Sequence, residues 1–206
     1  RETFGFSGAH LESLANEAAI YAFREQSERI TAQHLKEAID KVMMGEKLDK
    51  RPNVEELKRV SVHECGHALV SEMLKPGSVS TLTISPRGNA LGYMRQVPED
   101  DTYLYTLEFM ENQICIMLAG ALSEELILAS RSTGSANDFE QAVNLAKKIV
   151  IAGMSSLGIV SGEDIPRNKM HEVVSEIIKE QENKVREYLD PYKEVIIHVT
   201  NLLLEQ

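Results

Sequence analysis

Tryptophan is absent from this chain, and cysteine nearly so, with only Cys65 and Cys115 among 206 residues. Neither belongs to a C-x-x-C pair, which argues against a disulfide framework and for a reducing compartment. Aromatic residues make up only 5%, so a core has to come from the aliphatic side chains within the 43% hydrophobic content. No run of 18 apolar residues occurs and no signal peptide is visible, so these residues are expected to be soluble as they stand. Positive charge is also scarce: 22 Lys and Arg face 32 Asp and Glu, a net charge of −10. No Lys/Arg cluster is dense enough to neutralise a run of phosphates, which argues against a nucleic-acid partner. There are no internal repeats and no low-complexity tracts. The chain opens on Arg1 rather than Met, in what reads as a folded element, and is expected to be part of a longer protein.

What is present is mainly helical, with one small sheet. Residues 1–45 read as two helices, the first capped by Ser7 and carrying Leu11, Leu14, Ala15, Ala18, Ala19 and Ala22 at helical spacing. The second is capped by Thr31 and stopped at Gly45. Two short helices bury too little surface to stand alone. The polar run 46–54 reads as a linker, and the remainder, 55–206, as a second domain. It opens with a helix from about Glu55 to Leu74. Two strands, VSTLTISP and YMRQVP, follow around the turn RGNALG. A long apolar helix from about Thr106 to Ala129 comes next, then the loop SRSTGSAN and a helix from Asp138. Two terminal helices, about 169–189 and 191–205, have the spacing of core-facing elements.

The stretch SVHECGHALV, Ser61–Val70, carries the chemistry. Each helical residue advances about 100°, so His63 and His67 lie about 40° apart on one face, within reach of one ion. Glu64 flanks that face, close enough to touch a water on the ion without being a ligand. Val62, Cys65, Leu69 and Met73 fall on the opposite side and are expected to pack inward. His-Glu-x-x-His arises by chance in roughly one chain in fifty of this composition. Gly66 costs about 1 kcal/mol in a helix interior. A close approach by other backbone would explain it. The expected ion is zinc, which activates water for peptide hydrolysis, with Glu64 as general base. Spacing leaves the third ligand open between Asp138, otherwise a helix N-cap, and the pair Glu124–Glu125, otherwise solvated surface. His171 and His198 are lone histidines of amphipathic helices.

Six segments resemble the FtsH family, the membrane-anchored, ATP-dependent zinc metalloproteases of peptidase family M41. They are FSGAHLESLANEAAIYAFR, AIDKVMMG, HECGHALV, ISPRGNALGYMRQVPEDD, STGSANDFEQA and GMSSLG, in the family's order. The resemblance implies that His63, His67 and Asp138 bind Zn2+, that Glu64 is the catalytic base, and that Glu124 and Glu125 support the site. Residues 1–45 then resemble the end of an AAA+ helical lid. No GxxxxGK[ST] loop is present, so ATP would be used only by a module upstream of Arg1. The implied partners are unfolded or membrane-extracted polypeptides, a homo-hexamer, and a membrane reached through preceding segments, with this part in the cytoplasm. The strand region Ser78–Pro98 would border the cleft, where substrate could pair with it. The alternative is an inactive pseudo-peptidase serving as an oligomerisation scaffold for the ATPase ring. Three positions depart from the family pattern: His10 stands for Asp, Cys65 for Ala and Ala121 for Arg.

Overall fold

A computed structural model of the chain describes Thr3 and residues 6–46, 52–86, 91–96 and 104–205. It is mainly helical with one two-stranded sheet, as the sequence leads one to expect. Most of the expected turn at 87–92, the end of the second strand at Val97 and Pro98, and residues 47–51 of the expected linker lie outside the described residues.

The first two helices are α1, Gly8–Arg24, and α2, Ala32–Met44. Each opens on a reciprocal cap with histidine as the third residue. Ser7 accepts from the His10 amide and His10 accepts from the Ser7 amide. Thr31 and His34 repeat the arrangement. His10 thus completes a cap rather than making one. Gly45 ends α2 at φ 90, a left-handed conformation that glycine adopts without steric cost. The two helices share a small core of Leu14, Ala18, Ala38 and Ile39. Their contact with the rest of the chain includes Arg95, which meets Asp40 at 3.9 Å and Met43 Sδ at 3.6 Å.

The larger core is organised by α3, Val54–Leu74, and α4, Leu107–Leu128. Asn53 caps α3 and pairs reciprocally with Glu56, while Thr106 caps α4. α4 is apolar nearly all round, with Ile114, Leu118 and Leu122 buried, because helices cover it on several sides. It packs against α3, α5 (Ala136–Ile151), α6 (Arg167–Leu189) and, more lightly, α7 (Lys193–Leu204). α7 in turn closes over α3. Val62 and Cys65 point into this core and Leu69 is packed at its edge. Met73 is 37% exposed, contrary to expectation; it belongs to the last turn of α3, which ends one residue later.

The sheet is β1, Val79–Thr83, paired antiparallel with β2, Tyr93–Gln96, with Leu82 opposite Met94 and an irregularity between Val79 and Thr81. Polar bonds tie it to α3. The Glu72 carboxylate accepts from the Gly77 and Val79 amides at 2.7 Å each, fixing the turn out of α3. Ser71 meets Ser78 at 2.8 Å and receives Gln96 Nε2 at 2.7 Å. The strands therefore lie beside the motif-bearing segment of α3.

Leu118 is 2% exposed at the centre of this packing. Leu118→Ala should lower the unfolding free energy by about 2–5 kcal/mol in urea titrations, through lost transfer energy and a residual cavity.

Candidate metal centre

His63 and His67 sit one turn apart on α3, each 8% exposed, with imidazoles aimed at a common point. Their Nε2 atoms are 3.0 Å apart. Asp138 Oδ2 lies 3.2 Å from His63 Nε2 and 3.6 Å from His67 Nε2. The three donor atoms fall within 4.8 Å of one another, the spacing of ligands around one small cation. Asp138 is the third residue of α5, not its N-cap; Ser135 holds that position and makes no side-chain cap bond. The carboxylate is turned toward the imidazoles instead.

The far nitrogens fix the tautomers. His67 Nδ1 is 2.6 Å from the Ile116 carbonyl, which can only accept, so Nδ1 carries a proton and Nε2 is the nitrogen that faces the centre. His63 Nδ1 likewise donates to Glu124 Oε1 at 2.8 Å. Such bonds on the outer nitrogen orient imidazoles that ligate metals. Glu124 is therefore behind His63 rather than among the converging donors. It is 1% exposed, contrary to a reading as solvated surface. Glu125, the next residue, points outward to Arg131 at 2.6 Å and Arg186 at 3.0 Å. His171 and His198 are exposed.

Electrostatics at the centre favour a positive charge. Burial pushes the Asp138 carboxyl up, but hydrogen bonds from His63 and His67 outweigh it and hold the group well below the usual carboxylate range. For His63, burial lowers the value, and the bonds to Asp138 and Glu124 more than reverse this, raising it to about 9. A proton on His63 Nε2 thus stands where a cation would. Glu64, half-buried on the flank, is raised by burial against the opposing pull of His67 and His63, and the Met94 amide of β2 donates to it. A carboxylate with a raised pKa beside a cation site is suited to taking a proton near neutral pH.

Two glycines make room for this. A Cβ on Gly66 would overlap Ser123 Oγ and lie 2.6 Å from the Ala119 carbonyl, so the backbone of α4 approaches α3 at this point. A Cβ on Gly120 would sit 2.5 Å from His63 Nε2 and 2.6 Å from His67 Nε2. Gly120, like Arg59 and Ser132, was not singled out by the sequence. A glycine inside an apolar helix is the signal that could have found it. Ser132 donates to Glu124 Oε1 at 3.1 Å, and Arg59 meets Glu124 Oε2 at 2.8 Å.

Because the folded value of His63 is raised, its stabilising contribution is full below the unfolded value of 6.5 and is lost as pH rises through about 9. The melting temperature of the metal-free chain should therefore fall across that window. His63→Gln, which has no titrating ring, should flatten this part of the profile.

Comparison with known proteins shows the family. Residues 51–206 match the model of peptidase family M41, and residues 1–37 that of the AAA+ lid domain. An ATP-dependent zinc metalloprotease FtsH of Pelobacter propionicus is 40% identical over 174 residues, covering 83% of this chain and 27% of that protein. FtsH 2 of Symbiobacterium thermophilum is 40% identical over 204 residues, 95% of this chain and 34% of its own length. FtsH 1 of Thermomicrobium roseum is 44% identical over 158 residues, 75% and 24% of the two chains. The chain thus spans a quarter to a third of the length of these relatives. With the family match covering the whole of the segment that carries His63, Glu64, His67 and Asp138, the chain belongs to peptidase family M41.

Proposed function

We propose that this chain is the zinc endopeptidase portion of an FtsH-type, ATP-dependent protease that degrades unfolded or membrane-extracted proteins. The observation that carries the reading is the convergence of His63, His67 and Asp138, with Glu64 beside them. Residues 55–206 form the peptidase domain, 46–54 a linker and 1–45 the end of an AAA+ lid.

The donor set fits zinc: two neutral imidazole nitrogens and one carboxylate oxygen, buried, with a glycine beneath them where any side chain would intrude. His63, His67 and Asp138 would hold the ion. An ion held there would supply Lewis acidity, lowering the pKa of water from about 15.7 toward 7 and polarising a carbonyl oxygen. Glu64 then takes the proton of the attacking water and passes it to the leaving amine. Its half-buried carboxylate, raised by desolvation, takes that proton more readily than a solvated one would. No side chain is acylated in this scheme.

β2 lies next to Glu64, since its Met94 amide reaches that carboxylate. An extended substrate pairing with the strand region would bring its backbone to the catalytic base whatever its side chains. This suits a protease of unfolded chains.

No GxxxxGK[ST] loop occurs in residues 1–206, so ATP would be used by other segments of the protein. No helix among the described residues is long and apolar enough to cross a membrane. We place membrane anchoring in other segments of the protein, with this part in the cytoplasm and a homo-hexamer as the working assembly. An inactive scaffold would have no use for a base and three converging donors, and no observation favours it.

Dialysed wild-type chain should hold about one zinc per chain by atomic emission, and Asp138→Ala should lose most of it. Equal zinc in both would remove Asp138 from the ligand set. Glu64→Gln should keep the zinc and cut cleavage of an unfolded protein by about 10²–10⁴-fold. Undiminished cleavage would dismiss Glu64 as the base.

A further inference from the structure

We propose that Arg59 is a positioning residue for the metal centre, fixing through one guanidinium both the carboxylate behind His63 and the loop that leads to Asp138. The proposal rests on the reading of His63, His67 and Asp138 as zinc ligands.

Arg59 stands one helical turn before His63 on α3. Its Nη1 donates to Glu124 Oε2 at 2.8 Å and to the Ser130 carbonyl at 2.8 Å, while Nη2 donates to Ser130 Oγ at 3.1 Å. Three bonds thus reach two segments, α4 and the loop after it. That loop continues through Ser132, which donates to the other oxygen of Glu124 at 3.1 Å and accepts from the Gly134 amide at 3.3 Å. The short 3₁₀ turn Thr133–Ser135 follows, and then α5 with Asp138. The helix that carries both imidazoles and the loop that leads to Asp138 are therefore tied to Arg59 directly or through Glu124.

The pair differs from an ordinary surface ion pair. Glu124 is buried, with its side chain 1% exposed, whereas that of Arg59 is 31% exposed. Removing the partner of a buried carboxylate leaves its charge uncompensated, unlike the loss of a solvated pair. The forked geometry matters as well. A lysine ammonium could stand in for Nη1 between Glu124 and the Ser130 carbonyl but has no second nitrogen for Ser130 Oγ. Without the guanidinium, Glu124 loses the contact that sets its rotamer, and with it the orientation of the His63 ring. Ser130 loses its anchor eight residues before Asp138.

The test uses the full chain, zinc competition against a chromophoric chelator, and the visible spectrum of the Co2+-loaded protein. Arg59→Ala should bind zinc about 10–100-fold more weakly and show altered cobalt ligand-field bands, the size expected for loss of an outer partner of a ligand. Arg59→Lys should fall between the two, restoring charge without the fork. In a Glu124→Gln background, Arg59→Ala should cost less than in wild type, because the charge it opposed is gone. Arg59→Ala with wild-type zinc affinity and cobalt spectrum would overturn the proposal even if its melting temperature dropped. Should Arg59→Ala not fold, Arg59→Met, which keeps an apolar stem without the charge, decides, and wild-type affinity and spectrum in that variant would overturn it equally. Failure of the wild-type chain itself to bind zinc would overturn the ligand reading beneath it, and the same titration shows this before any variant is made.

Discussion

The close approach of α3 and α4 is the constraint on which the rest of the centre depends. Gly66 lets the α4 backbone in, and Gly120 leaves the space under the two imidazoles open. Only at that separation can the Ile116 carbonyl reach His67 and the Glu124 carboxylate reach His63. Those two bonds decide which nitrogen of each ring faces the centre. The apolar character of α4 follows from the same demand, since a helix this closely covered has few positions left for water.

Charge at the centre is arranged in layers. The inner layer, Asp138 with two imidazoles and Glu64, is anionic enough to raise His63 to about 9 against its burial. Behind it, Glu124 is satisfied by His63, Arg59 and Ser132 and is held below its ordinary value despite burial. Farther out, Glu125 pairs with Arg131 and Arg186, joining the end of α4 to α6 at the surface, where such pairs contribute about 0–1 kcal/mol each. Adjacent glutamates thus have opposite duties because consecutive helical residues point about 100° apart.

Much of this was legible in the sequence, for physical reasons. Helical periodicity and the caps Ser7 and Thr31 are local signals, and the expected helices lie within a residue or two of the observed ones. The His63–His67 spacing is equally local, being set by one helical turn. The choice between Asp138 and the glutamate pair was not, because it depends on how α5 and α4 dock on α3. Spacing alone left Asp138 open between a cap and a ligand, whereas docking turns it to the imidazoles. Arg59 was missed for a similar reason: its partners Glu124 and Ser130 are 65 and 71 residues away. The resemblance marked Ala121 as a position without the expected arginine; the guanidinium at Glu124 comes from a different helix.

The most direct test of the account is zinc-edge X-ray absorption on the zinc-loaded chain. The account calls for two imidazole nitrogens at about 2.0–2.1 Å and oxygen at about 2.0–2.2 Å, with no sulfur near 2.3 Å. Both cysteines are buried in the core, away from the converging donors, so sulfur has no route to the ion. A first shell with one imidazole, or with a thiolate, would contradict the central claim that His63, His67 and Asp138 together hold the metal.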